Sequence, residues 1–227
     1  MATPEAPAAV SSRRVTKTLL LLGLLGRPLF VATFIIEGAT RAFYDPARLP
    51  VSLLALGVEG WVQTLNFLVD GMLLFGLAIG LARSVPDRSL AARAGPMLIA
   101  VVAVGVFGAG VFSTDPAGGF PFGEPPPPES TLHATLHDVC SLMVFVGLPL
   151  AMAVFAAWFA SRGEVGWVAY SAASAIAAAV GFILFVAAVS GAAGLDDVAG
   201  WVQRVVIVVG WGWMTLLAAH MLRFGPP

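Results

Sequence analysis

His133 and His137 stand four residues apart in the stretch Thr131-Leu132-His133-Ala134-Thr135-Leu136-His137-Asp138. On a helix that spacing puts both imidazoles on one face. Ser141 continues the face one turn deeper, with Cys140 beside it. Upstream, Thr114-Asp115-Pro116 ends one apolar run, and a Gly/Pro-rich connection with Pro125 to Pro128 leads back to the histidines. Asp115 is therefore able to approach them from the neighbouring segment. Three readings stay open. Asp115, His133 and His137 offer nitrogen and oxygen ligands for a metal such as zinc, and a metal-bound water would make hydrolysis conceivable. His137 with Asp138 offers acid/base chemistry without a metal, since histidine titrates near neutral pH. The third reading is a hydrogen-bonded cap: Asp115 closes one helix, and the Ser/Thr/His/Asp group opens the next.

Two further groups have the right residue types for chemistry. The segment 38–60 carries Arg41, Tyr44 and Arg48, which could fold over the same end and meet a phosphate or carboxylate headgroup; an ordinary interfacial loop is the other reading. Arg27 and Asp70 each fall near the middle of an apolar run. A lone charge in hydrocarbon is expensive, so each needs a partner. At about 1.5 Å of rise per residue the two sit at nearly equal height from one side. An Arg27–Asp70 ion pair is the expectation, as structural glue or as part of a substrate or proton path. His220 lies at the opposite end from the other histidines and reads as a packing residue, as does Cys140.

The elements that position these groups follow from composition. The chain has 227 residues, 59% hydrophobic and only 11% charged, where soluble domains carry about 25% charge. Apolar runs long enough for a bilayer core of about 30 Å fall at 18–37, 61–82, 94–113, 134–159, 167–189 and 201–221. Buried backbone groups need internal partners, and the runs lack the alternation of barrel strands, so they are read as helices. The expected object is an all-α polytopic membrane protein: a compact six-helix transmembrane bundle forming one domain over 18–221. A disordered leader precedes it over 1–17, and a short tail follows over 222–227. No small-x-small cleavage site follows the first run, so it is read as a span and not a signal peptide.

Arg13, Arg14, Lys17, Arg83, Arg88, Arg93, Arg162 and Arg223 all fall on one side of the six spans, which places both termini in the cytoplasm. Trp61, Trp167 and Trp201 sit at span ends, as interfacial anchors do. Gly76 with Gly80, Gly105 with Gly108, and the small residues of 171–181 allow close helix approach. A single cysteine excludes an internal disulfide. Basic and acidic residues nearly balance and no basic cluster tracks phosphates, so nucleic acid is excluded. No phosphate loop is visible, and the position of His220 disfavours a bis-histidine haem.

The chain resembles the DUF998 family of multi-pass bacterial membrane proteins. The resemblance rests on Glu37-Gly38-Ala39-Thr40-Arg41 with Tyr44-Asp45-Pro46 and Pro50-Val51-Ser52, on Gly60-Trp61-Val62-Gln63 with Asn66-Phe67, on Gly110 to Pro116, and on Thr131-Leu132-His133 with Leu136-His137-Asp138. Ser113 stands where the family pattern has proline, and Ala134 where it has glycine. The resemblance covers roughly residues 18–220. It implies a helical protein of the bacterial inner membrane and brings no established activity with it.

These readings converge on a membrane protein with an outward-facing polar site and membrane lipids as its surroundings. As an enzyme it would hydrolyse or transfer a group on a lipid-like or anionic molecule, with zinc as the candidate cofactor. A small transporter component and a non-catalytic assembly partner are the alternatives.

Overall fold

The structure is a computed structural model that describes residues 7–85, 89–191 and 194–224. Its regular elements are six long helices: α1 (Pro7–Thr40), α2 (Trp61–Ser84), α3 (Leu90–Val111), α4 (Leu132–Ser161), α5 (Val165–Val189) and α6 (Ala199–Phe224). Short 3-10 turns at Val51–Ala55 and Asp196–Val198 lead into α2 and α6. All six helices contain stretches long and apolar enough to cross a membrane. The fold is all-helical.

Helix α1 extends back to Pro7, so residues 7–17 are helical where a disordered leader is expected. Once the apolar run forms a helix, adding residues no longer carries the cost of nucleation. Residues 1–6 lie outside the described residues, as do Asp87 and Arg88.

Each helix packs on its neighbours in sequence, and α6 closes the ring against α1. Small residues set the close approaches. A Cβ on Gly105 would sit 2.5 Å from the Cys140 carbonyl oxygen, so only glycine lets α3 lie this near α4. Helix α5 is the least buried of the six, so the ring is most open along its edges. Towards the end that carries residue 84 and residue 224, a layer of fully buried side chains fills the ring, among them Leu74, Leu77, Leu81, Trp213 and Leu217.

The 41–60 segment is bound into the opposite end. Leu49, Val51, Leu53 and Leu54 are buried, and the first turns of α6 hold the backbone. Trp201 N–H donates to the Ala47 carbonyl at 3.1 Å. Arg204, itself buried, donates through Nη1 to the carbonyls of Pro46, Leu49 and Gly200 at 2.7, 3.0 and 3.0 Å. Arg204 Nη2 donates to Tyr44 Oη at 2.7 Å, and Val51 N–H donates to Gln203 Oε1 at 2.7 Å. Gly200 is needed here: a Cβ would lie 2.5 Å from the Pro46 carbonyl oxygen.

Candidate functional site

Helices α3 and α4 are laced together beside the 112–131 connection by side chains crossing in both directions. Asp115, expected to cap α3, bonds instead to Thr131, the N-cap residue of α4. Its Oδ2 accepts from Thr131 N–H at 2.9 Å and its Oδ1 from Thr131 Oγ1 at 2.7 Å. Thr131 in turn accepts from Ala134 N–H at 3.1 Å, the usual N-cap bond. Helix α3 stops at Val111 because Phe112 turns to extended backbone, leaving carbonyls without helical partners. His137 meets them: its Nδ1 lies 2.8 Å from the Phe112 oxygen and 3.2 Å from the Ala109 oxygen.

A carbonyl oxygen only accepts, so Nδ1 carries the proton. In the neutral ring that leaves Nε2 with a lone pair. His137 is 3% exposed, and Nε2 makes no hydrogen bond among the described residues. The ring lines a cleft of about 590 Å³ between the first half of α4 and the second half of α5, with Gln203 of α6 and Ser52 of the 41–60 segment also lining it. Thr135, Asp138 and Ser141 give this cleft polar groups along α4, while Phe182, Phe185 and Val186 of α5 make the facing wall apolar. A smaller cavity of about 40 Å³ shares Ser52, His137, Ser141 and Gln203 with the cleft and ends at Phe30 and Trp211.

Trp211 borders the buried charge pair. Arg27 is 0% exposed and Asp70 2%. Arg27 Nε donates to Asp70 Oδ1 at 2.8 Å, Nη2 reaches the same oxygen and also the Asp70 carbonyl at 3.0 Å, and Trp211 Nε1 donates to Asp70 Oδ2 at 2.9 Å. Both carboxylate oxygens are thus satisfied, as burial of a charge requires. Arg27 Nη1, Gln63 Nε2 and Glu37 Oε2 are buried without a hydrogen bond among the described residues.

The structure does not bring Asp115, His133 and His137 together as ligands. Asp115 is taken up by Thr131, His137 offers Nδ1 to backbone, and exposed His133 packs edge-on against Phe112 with ring centres 5.8 Å apart. Among the described residues no group of three or more His, Cys, Asp or Glu side chains is placed to hold a metal ion. A catalytic zinc needs three protein ligands, and these side chains are not arranged to supply them.

The residues expected to meet an anionic headgroup are engaged with protein partners. Arg41 pairs with Glu37 at 2.7 Å and Glu59 at 3.1 Å and donates to the Leu54 and Leu56 carbonyls. Tyr44 Oη faces the Leu49 and Pro50 carbonyls at 3.0 and 2.9 Å while accepting from Arg204. Burial raises the Tyr44 phenol above its ordinary pKa, and nearby Arg204 pulls the other way. Arg48 pairs with Asp197 at 3.2 Å on the exposed rim. None of the three lines the cleft. His220, at the other end, pairs with Glu164 at 3.0 Å and packs on Trp167.

Sequence reasoning missed Gln203, Trp211 and the burial of Arg204. The signal was present: Gln203, Ile207 and Trp211 fall at helical spacing on one face of α6, which marks that face as inward.

No curated protein and no solved structure matches the chain. A family model described as "Protein of unknown function (DUF998)" matches residues 24–220, nearly the whole bundle and every residue of the cleft, and the chain therefore belongs to the DUF998 family.

Proposed function

We propose that the protein takes a lipid-like molecule into the cleft between α4 and α5, and that His137 engages its polar head through Nε2. The observation that carries this reading is the fixed tautomer of His137. Backbone carbonyls hold the proton on Nδ1, so the lone pair is left on Nε2 of a ring that lines a cleft polar on one wall and apolar on the other. A head group with a hydroxyl, an amide or a bound water would donate to Nε2, with Ser141, Thr135 and Asp138 beside it. An acyl or prenyl chain would lie along Phe182, Phe185 and Val186. The cleft volume, about 590 Å³, falls in the range of small-molecule sites. The same lone pair is what hydrolysis or group transfer on such a molecule would use as a general base.

The cleft faces outward in this reading, with both termini in the cytoplasm of a bacterial inner membrane. The support is the gathering of Lys and Arg at the other end of the helices. A one-sided site is favoured over a transport path by the packed layer of Leu74, Leu77, Leu81, Trp213 and Leu217 beyond Trp211.

Native mass spectrometry of protein purified in mild detergent tests the reading. Thr135→Trp and Val186→Trp each fill the cleft from an exposed position. A bound amphiphile present on the parent protein and absent from both folded variants is expected. An amphiphile retained equally by all three, or none bound when lipids are supplied, would contradict it.

A further inference from the structure

A second cavity, of about 330 Å³, lies at the opposite end of the bundle, where α1 begins and α2 and α6 end. Arg13 and Lys17 of α1, Arg83 of α2 and Arg223 of α6 line it, and no acidic side chain among the described residues does. Cations from three separate helices gathered on one cavity repel one another, and their juxtaposition is favourable when an anion lies between them. Arg83 is already oriented: its Nε donates to Thr16 Oγ1 at 2.9 Å and its Nη2 to Ser12 Oγ at 2.8 Å. Beneath the charges the floor is apolar, made by buried Leu20 and Met221. Further along α1, Leu21 and Leu25 are exposed on the helix surface, where lipid chains run.

We propose that Lys17, Arg83 and Arg223 form a seat for the phosphodiester of an anionic phospholipid, with its acyl chains continuing along the outside of α1. Basic pockets between transmembrane helices at the membrane surface suit such headgroups. Thr16 and Ser12 hold Arg83 through Nε and Nη2, which leaves Nη1 to donate to a phosphate oxygen, and Lys17 and Arg223 supply charge from the flanking helices. The shared chemistry is a phosphate group, which a free phosphate also carries. The apolar floor and the exposed leucines favour the lipid.

The full chain, delipidated in neutral detergent, would be titrated with dihexanoyl-phosphatidylglycerol, dihexanoyl-phosphatidylcholine and inorganic phosphate, with binding read by native mass spectrometry. Phosphatidylglycerol is expected to bind more tightly than both others. Lys17→Gln, Arg83→Gln and Arg223→Gln should each weaken it about fivefold, the worth of one basic residue near an anionic surface. Lys17→Arg should retain it, which separates charge loss from misfolding, and Arg93→Gln, on the same side but outside the cavity, should leave it unchanged. Equal binding of phosphatidylcholine would overturn the proposal, and so would an equal loss in Arg93→Gln. Inorganic phosphate binding as tightly as phosphatidylglycerol would overturn the lipid assignment.

Discussion

His137 Nδ1 of α4 lies 2.8 Å from the carbonyl oxygen of Phe112, at the point where α3 ends. One bond therefore does two things: it satisfies a backbone group that the helix has released, and it fixes which ring nitrogen keeps the lone pair. The structural role of this histidine and the role proposed for it meet in a single tautomer, and substitution can separate them.

Asparagine places an amide N–H near the position of Nδ1, whereas leucine places nothing there. His137→Leu should destabilise the protein by about 1–3 kcal/mol, the cost of an unpaired buried acceptor. His137→Asn should keep most of the stability while removing the Nε2 lone pair. Thermal unfolding in detergent checks the first expectation. Loss of the bound amphiphile from a stable His137→Asn protein checks the second.

The charge pair gives a separate prediction. Arg27→Met and Asp70→Leu should each cost about 3–5 kcal/mol, because each strands a buried charge. The double variant should recover much of that loss. A double-mutant cycle reads the coupling directly, and additive losses would contradict an energetically coupled pair. Trp211→Phe, which removes the donor to Asp70 Oδ2, should cost about 1.5–3 kcal/mol, as a hydrogen bond to a charged group does.

The six spans were legible because hydropathy over long windows needs no tertiary information. Matched depth likewise pointed Arg27 at Asp70, and the structure brings them together, but nothing local pointed Trp211 at the same carboxylate. The 41–60 segment was less readable. Arg41, Tyr44 and Arg48 are residue types that serve a ligand headgroup and a backbone carbonyl equally well, and only packing decides between them. Arg204 did not stand out because composition cannot tell an arginine facing water from one facing three carbonyls. Asp115 was misassigned for a similar reason: a carboxylate between two helix ends suits either, and the loop geometry turns it to Thr131.

Tyr44 makes the lock on that segment sensitive to alkali. Burial raises its pKa, with Arg204 opposing. The folded state therefore holds the phenol proton to higher pH than the unfolded chain, whose tyrosines ionise near about pH 10. The resulting stability is fully present below that pH and is lost as pH rises from there through the folded value. Unfolding midpoints measured from pH 8 upward should fall above about pH 10, and Tyr44→Phe should flatten this component while lowering stability at neutral pH.

The outward orientation has a direct check because Cys140 is the sole cysteine. In a Cys140→Ser background, Glu124→Cys and Ser11→Cys place thiols at opposite ends of the bundle, both at exposed positions. A membrane-impermeant maleimide added to intact cells should label Glu124→Cys and leave Ser11→Cys unlabelled. The reverse pattern would invert the orientation.

The central claim is that the cleft beside His137 holds a lipid-like molecule. The most direct test is crosslinking in membranes with a phospholipid carrying a photoreactive acyl chain, followed by mapping of the modified peptides. Modification should centre on Phe182, Phe185 and Val186 and be lost in Thr135→Trp. Labelling spread evenly over the lipid-facing surfaces of the helices and unchanged by Thr135→Trp would contradict the claim.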